Sequence, residues 1–167
     1  DEAVPIETID QFFQRVAERF PLLKLTIING SQEDIALWVD QGRADLGILF
    51  HLKPLPNTLY FTSIGQFRYA LIASHHHPLA KISEPTVNDL IQHRQLVIRA
   101  RVGEPQIKAV SPEHWYVDSY YYITSLVICG IGWALVPEHI ASADWYRDEL
   151  ASLSTKHLPG SLLVEMG

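Results

Sequence analysis

One cysteine, Cys129, in a chain of 167 residues leaves no partner for an internal disulfide and rules out every multi-cysteine metal framework. It sits at an apolar helix end, where a small buried residue is the expected reading. Long hydrophobic runs are missing as well. A membrane helix needs about 18 apolar residues, and the longest stretch, Ile123 to Val136, is broken by Gly130 and Gly132. Positive charge is scarce: 13 Lys and Arg against 19 Asp and Glu give a net charge of −6, and the basic residues never form a run. Nucleic-acid binding rests largely on Lys and Arg at phosphates, so this stretch of chain is a poor DNA binder. GxSxG, HExxH, CxxC and GxxxxGK(S/T) are all absent, which argues against catalysis. No leader-like segment precedes Asp1, so a reducing compartment, the cytoplasm, is expected. No internal repeat or low-complexity tract occurs.

What is present is an ordinary globular composition, 47% hydrophobic, with strand and helix patterns in alternation. The most informative run is Ile128-Cys-Gly-Ile-Gly-Trp-Ala-Leu-Val-Pro137. Gly130 suits the left-handed residue that ends a helix over Ile123 to Val127, and Gly132 allows a close backbone approach. Trp133 to Val136 is a buried strand, and Pro137 stops it and can open the next helix.

Elsewhere, Ile6, Ile9, Phe12, Phe13, Val16 and Phe20 recur at helical spacing and predict an amphipathic helix. Leu23, Leu25 and Ile27 alternate as in a strand. Ser31 with Asp34, Thr86 with Asp89, and Ser119 mark helix starts. Gly42 ends the second helix, and Ala44 to Phe50 reads as a buried strand. Leu59 to Ile64 and Tyr69 to Ser74 read as two strands, one continuing into the other. Gln95 to Arg99, His114 to Asp118, Ala151 to Leu158 and Leu162 to Glu165 complete the strands. The class is α/β with mainly parallel sheets.

Four segments resemble the effector-binding domain of LysR-type transcriptional regulators. The run from Val127 to Pro137 is similar to the family's "aGxGIalLP". Phe20-Pro21 and the following residues resemble its "(F/Y)P-x-(V/I)-x-L". Gln41 to Ile48 resembles its "G-x-(L/A)-D-(L/A)-(A/G)-I", and His77 to Ala80 its "HPLA". The resemblance implies a type 2 periplasmic-binding-protein-like fold, α/β, with two Rossmann-like lobes joined by two crossover strands. Lobe one is expected over 1–66 plus 158–167, and lobe two over 67–157. It also implies that the first strand and last helix of lobe one, and a winged helix-turn-helix that reads DNA, lie outside this chain. Ala100 to Glu113, carrying Gly103, Pro105 and Pro112, departs from the family in having no room for a long helix there.

In open α/β sheets ligands sit beyond the carboxyl ends of strands, beside helix starts that offer free N–H groups. Three such starts are Glu2 to Val4, Asn29 to Gln32, and Asp118 to Tyr120. The expected effector site therefore includes Ala3, Ser31, Gln32, Phe50, His51, Arg99, Arg101, Ser119 and Tyr120. Ala3 and Gln32 occupy places where the family uses hydroxyl residues. Ser31 reads equally as a plain helix cap, the two arginines as solvated charges, and at least one of Tyr120, Tyr121 and Tyr122 as core. Asp1, Glu2, Glu33, Asp34 and Asp118 are read as first-turn acids pointing outward. His75 and His77 could share a metal on an extended chain, but His77 has its own role in the HPLA turn. No metal and no cofactor are expected.

The function implied is small-molecule sensing by a homodimeric or higher homo-oligomeric regulator with no membrane association. The effector is expected to be a small carboxylate or another polar metabolite. A solute-binding protein for uptake is the alternative, and an enzyme on the same fold comes third.

Overall fold

A computed structural model describes residues 1–51, 54–100, 107–158 and 162–167. Five α-helices and seven strands fall within them. The helices are α1 (Ile6–Arg19), α2 (Gln32–Asp40), α3 (Val87–Leu90), α4 (Tyr120–Ile128) and α5 (Glu138–Ala141). The strands are β1 (Phe50–His51), β2 (Gly65–Ser74), β3 (Gln95–Ile98), β4 (His114–Val117), β5 (Trp133–Pro137), β6 (Leu150–Leu153) and β7 (Leu163–Met166). One curled sheet runs β1-β7-β2-β5-β3-β4, with β6 paired to β2.

The ten-residue β2 ties the sheet together. Gly65 to Arg68 pair with β7, Tyr69 to Ile72 with β5, and Leu71 to Ser74 with β6. This corrects the two-strand expectation: the residues of 59–64 form no strand, and a single strand begins at Gly65. Strand directions differ as well. Only β3–β4 and β3–β5 are parallel, and the four pairings made by β2 and β7 are antiparallel. Alternating strand and helix patterns favour parallel sheets. Here the long β2 returns beside β5, β6 and β7 late in the chain, and that return reverses direction.

Leu71 and Ala73 pack against Leu79, Leu90 and Trp133 on one face of the sheet. On the other, Ile72, Leu96, Ala134 and Val136 meet Ile123 and Val127 of α4, and the same cluster continues through Tyr69, Phe67 and Val164 to Phe50. The glycine turn does what its pattern predicts. Gly130 has φ +77°, its N–H donates to Val127 O at 2.8 Å, and Ile131 N–H donates to Leu126 O at 3.2 Å. These two bonds satisfy carbonyls that the helix end leaves without partners. Gly132 lies directly on the Arg94 carbonyl, and a Cβ there has no room. Trp133 N–H then donates to that carbonyl at 3.0 Å, which starts β5 beside β3.

The amphipathic helix forms as expected, as α1, yet none of its residues is buried, and Phe12 is 42% exposed. The expected strand over Leu23 to Ile28 does not form; Leu23 N–H instead donates to Phe20 O at 3.0 Å, in a turn at the end of the helix. The segment's apolar side lines a shallow groove with Phe13, Val16 and Phe20 of the helix and its end. Likewise, of Ala44 to Phe50 only the end is paired, through Leu49 to Gly167 and Phe50 to Met166. Cys129 is exposed rather than buried, because it caps α4 on the turn itself and not on its inner face. Residues 107–113 hold no helix, as the prolines predict, while Gly103 and Pro105 lie outside the described residues.

Candidate functional site

Two helix starts converge on the carboxyl end of β3. At α2, Ser31 and Asp34 form a reciprocal cap: Ser31 Oγ accepts from Asp34 N–H at 3.2 Å, and Asp34 Oδ2 accepts from Ser31 N–H and Oγ–H at 3.4 and 2.9 Å. At α4, Ser119 Oγ accepts from Tyr122 N–H at 3.4 Å. Between these starts lies a small cavity, partly open to solvent. Ser31, Gln32 and Phe50 line one side, and Ile98, Arg99, Ala100, Asp118 and Tyr120 the other, with Asp1, Glu2, Asn29 and Gly30 between.

Tyr120, which lines it, pairs with a second buried tyrosine, Tyr69. Tyr69 and Tyr120 are 4% and 2% exposed, and their hydroxyls share one hydrogen bond of 2.8 Å. One hydroxyl proton closes that bond, so the other stays available as a donor. Burial pushes the Tyr69 hydroxyl up to about 12 and raises Tyr120 well above its ordinary value, so both remain protonated across the physiological range.

Of the residues expected here, the cavity brings together Ser31, Gln32, Phe50, Arg99 and Tyr120. Ser119 stands just behind, at the start of α4. Ala3 is wholly buried in the core below the cavity and does not line it. His51 also misses it: the ring packs on Phe61 at 4.9 Å and its Nδ1 lies 3.9 Å from Glu165, because alternate strand residues face opposite ways. Arg101 lies outside the described residues. Arg99 is on the rim, its guanidinium 5.6 Å above the Tyr116 ring. Tyr120 is core, Tyr121 half-buried and Tyr122 68% exposed, as three consecutive helix residues must be.

Sequence reasoning misplaced Glu2. It does not point outward. Its carboxylate accepts from Tyr120 N–H at 2.9 Å and from Ser119 Oγ–H at 3.2 Å. No local pattern signals a bond that spans 117 residues. His77 is explained by its turn: Nδ1 accepts from Leu79 N–H at 3.2 Å, ahead of the helical turn Pro78–Lys81. Among the described residues no group of three or more His, Cys, Asp or Glu is placed to hold a metal.

Comparison with known proteins decides the family. The model of the LysR substrate binding domain matches residues 7–163. The chain belongs to the LysR substrate-binding domain family. It is 27% identical to the HTH-type transcriptional regulator cbl of Escherichia coli K12, an alignment covering 96% of this chain and 53% of that protein. It is 25% identical to the HTH-type transcriptional regulator AceR of Acinetobacter baumannii over 73% of this chain and 41% of AceR. The chain thus spans about half the length of the curated relatives it matches. Among solved structures, the effector-binding domain of QuiR in complex with shikimate has a TM-score of 0.71 at 16% identity, covering 95% of this chain and 79% of QuiR's. The cofactor-binding domain of the Cbl regulator has a TM-score of 0.69 at 21% identity, covering 93% and 71%. The fold is therefore the type 2 periplasmic-binding-like fold of LysR effector-binding domains. Among the described residues no helix is long and apolar enough to cross a membrane.

Proposed function

We propose that this LysR domain senses a small polar metabolite, a carboxylate, in the cavity between the starts of α2 and α4. The observation that carries the reading is the lining: Ser31 and Gln32 at the start of α2 and Phe50 of β1 come from the first half of the chain, and Arg99 after β3 and Tyr120 of α4 from the second. A ligand held by both halves fixes their relative position. The halves are lobe one, 1–66 with 158–167, and lobe two, 67–157. The start of α4 already accepts a carboxylate, that of Glu2, through two donors. That favours the same chemistry in the effector.

In the whole protein, the lobes pass the signal to a winged helix-turn-helix that carries the DNA contacts, in a cytoplasmic homodimer or larger homo-oligomer. Sensing is a shift in population, so the effector must bind one arrangement of the lobes better than the other. The relatives by sequence are regulators, which favours this reading over a solute carrier for uptake or an enzyme.

A thermal-shift screen of metabolites tests the proposal. A true effector at 100 times its Kd adds about 2.7 kcal/mol of stability. Gln32→Ala and Arg99→Ala should each weaken its binding and leave the fold intact. If both bind it as tightly as the parent, the effector lies elsewhere.

A further inference from the structure

Both helix starts that open on the cavity are occupied by carboxylates of the chain itself, and the two differ in kind. Asp34 caps its own helix from three residues away, an ordinary local arrangement. Glu2 belongs to the segment that leads into α1, yet its carboxylate sits at the start of α4, on the other side of the cavity. α4 has nine residues, and its first N–H groups have no partner within the helix. Glu2 takes the first of them, Tyr120 N–H, together with the Ser119 hydroxyl, whose oxygen in turn accepts from Tyr122 N–H. Tyr120 also lines the cavity. An anionic ligand's most favourable place in the cavity is therefore held by a side chain.

We propose that Glu2 is a built-in competitor of the effector: the effector's carboxylate displaces it from Ser119 and Tyr120, and so releases the segment that leads into α1. This rests on the reading of the cavity as the effector site. Co-occupancy is disfavoured, since Asp1 and Asp118 also border the cavity and a second carboxylate beside Glu2 would meet three acids with Arg99 on the rim. Exchange is balanced. One carboxylate leaves the two donors as another arrives, and the half-buried Glu2 is rehydrated. What tips the exchange is the rest of the effector against Ser31, Gln32 and Phe50, and that contact exists only when it is bound. A ligand for a site that is open a fraction f of the time has its Kd raised by 1/f, and removing Glu2 removes that factor.

Acetate is the probe, titrated at constant ionic strength into the parent and into Glu2→Ala, with ¹H–¹⁵N spectra read at the amides of Tyr120 and Tyr122. Saturable shifts with an apparent Kd about tenfold lower in Glu2→Ala than in the parent are expected, for f of about 0.1. Glu2→Gln keeps the shape of the side chain and removes its charge; it carries the test if Glu2→Ala does not fold, with a Kd at least threefold below the parent's. Equal affinity in parent and variant overturns the proposal, and so does the absence of a saturable response at these amides in the variant. The amides of Ser31 and Gln32 separate the two levels. If a metabolite moves them while Tyr120 stays still, the competitor role fails and the effector site stands. If acetate binds as expected but no metabolite moves either set, the effector assignment fails alone.

Discussion

Removing both hydroxyls of the buried tyrosine pair should cost less than the two single removals added together. Tyr69 and Tyr120 are almost wholly buried and bond to each other at 2.8 Å. Tyr120→Phe deletes a bond worth about 1 kcal/mol and leaves the Tyr69 hydroxyl buried without its partner, a penalty of about 1–3 kcal/mol. A net loss of roughly 2 kcal/mol is expected, and Tyr69→Phe should lose a similar amount for the same reason. The double variant has no orphan to carry. Its loss should fall short of the sum of the two single losses by at least about 1 kcal/mol, the coupling of a directly bonded pair. For a domain of this size each kcal/mol moves Tm by about 2–4 °C, so thermal melts resolve the difference, and urea titrations give the free energies. The pair also predicts alkaline behaviour. Burial raises both folded-state hydroxyls above their ordinary value of 10, Tyr69 to about 12. The unfolded chain therefore releases these protons first, and stability is full below pH 10 and falls as pH rises from there through about 12. The double Phe variant should show a flatter alkaline limb. Strictly additive losses, or an alkaline limb unchanged in the double variant, would refute the account of a shared buried hydrogen bond.

Acid should act through histidines. Burial lowers His77, with His93 adding repulsion, and burial also lowers His139 below the ordinary value of 6.5. The unfolded state takes up these protons first, so stability should fall with pH below about 6.5, less steeply in His77→Gln, as read by melts from pH 7 to 5. Two glycine substitutions should differ sharply. Gly130→Ala meets no atom and bears only the left-handed φ, about 1–2 kcal/mol, whereas Gly132→Ala drives a Cβ onto the Arg94 carbonyl and should lose about 3 kcal/mol or more. Equal losses in urea titrations would contradict that. Gln95 Oε1 accepts from Val110 and Ser111 N–H at 2.6 and 3.1 Å, so Gln95→Leu should orphan both and destabilise by about 2 kcal/mol in the same assay.

The features that were legible in the sequence are those encoded within a few neighbouring residues. Ser31 with Asp34, Thr86 with Asp89, Ser119, Gly42 and Gly130 each punctuate a helix where their chemistry requires, and all five do so in the structure. Strand periodicity located β3, β4 and β5 to within a residue. Pairing was not legible, because hydrogen bonding between strands is a relation among distant segments. The alternation of Leu23, Leu25 and Ile27 is real, but it is spent on Phe13 and Val16 of α1 and not on a sheet. Cys129 shows the same limit at one residue: apolar neighbours in sequence did not make it buried, since the helix turns its capping residue outward.

The cavity divides along the same line. Ser31, Gln32 and Tyr120 were found because helix starts announce themselves locally, and Arg99 because it ends a strand. His51 was lost to strand parity, a one-residue error in facing that places it on Glu165 and Phe61. Glu2 was read with the wrong sign. As a first-turn acid pointing outward it left a carboxylate effector unopposed, whereas its carboxylate is bonded at the start of α4, beside the cavity. Charge summed along a sequence treats every acid as equal. The structure weights each by what it faces, and Glu2 faces Ser119, 117 residues away, at the edge of the cavity.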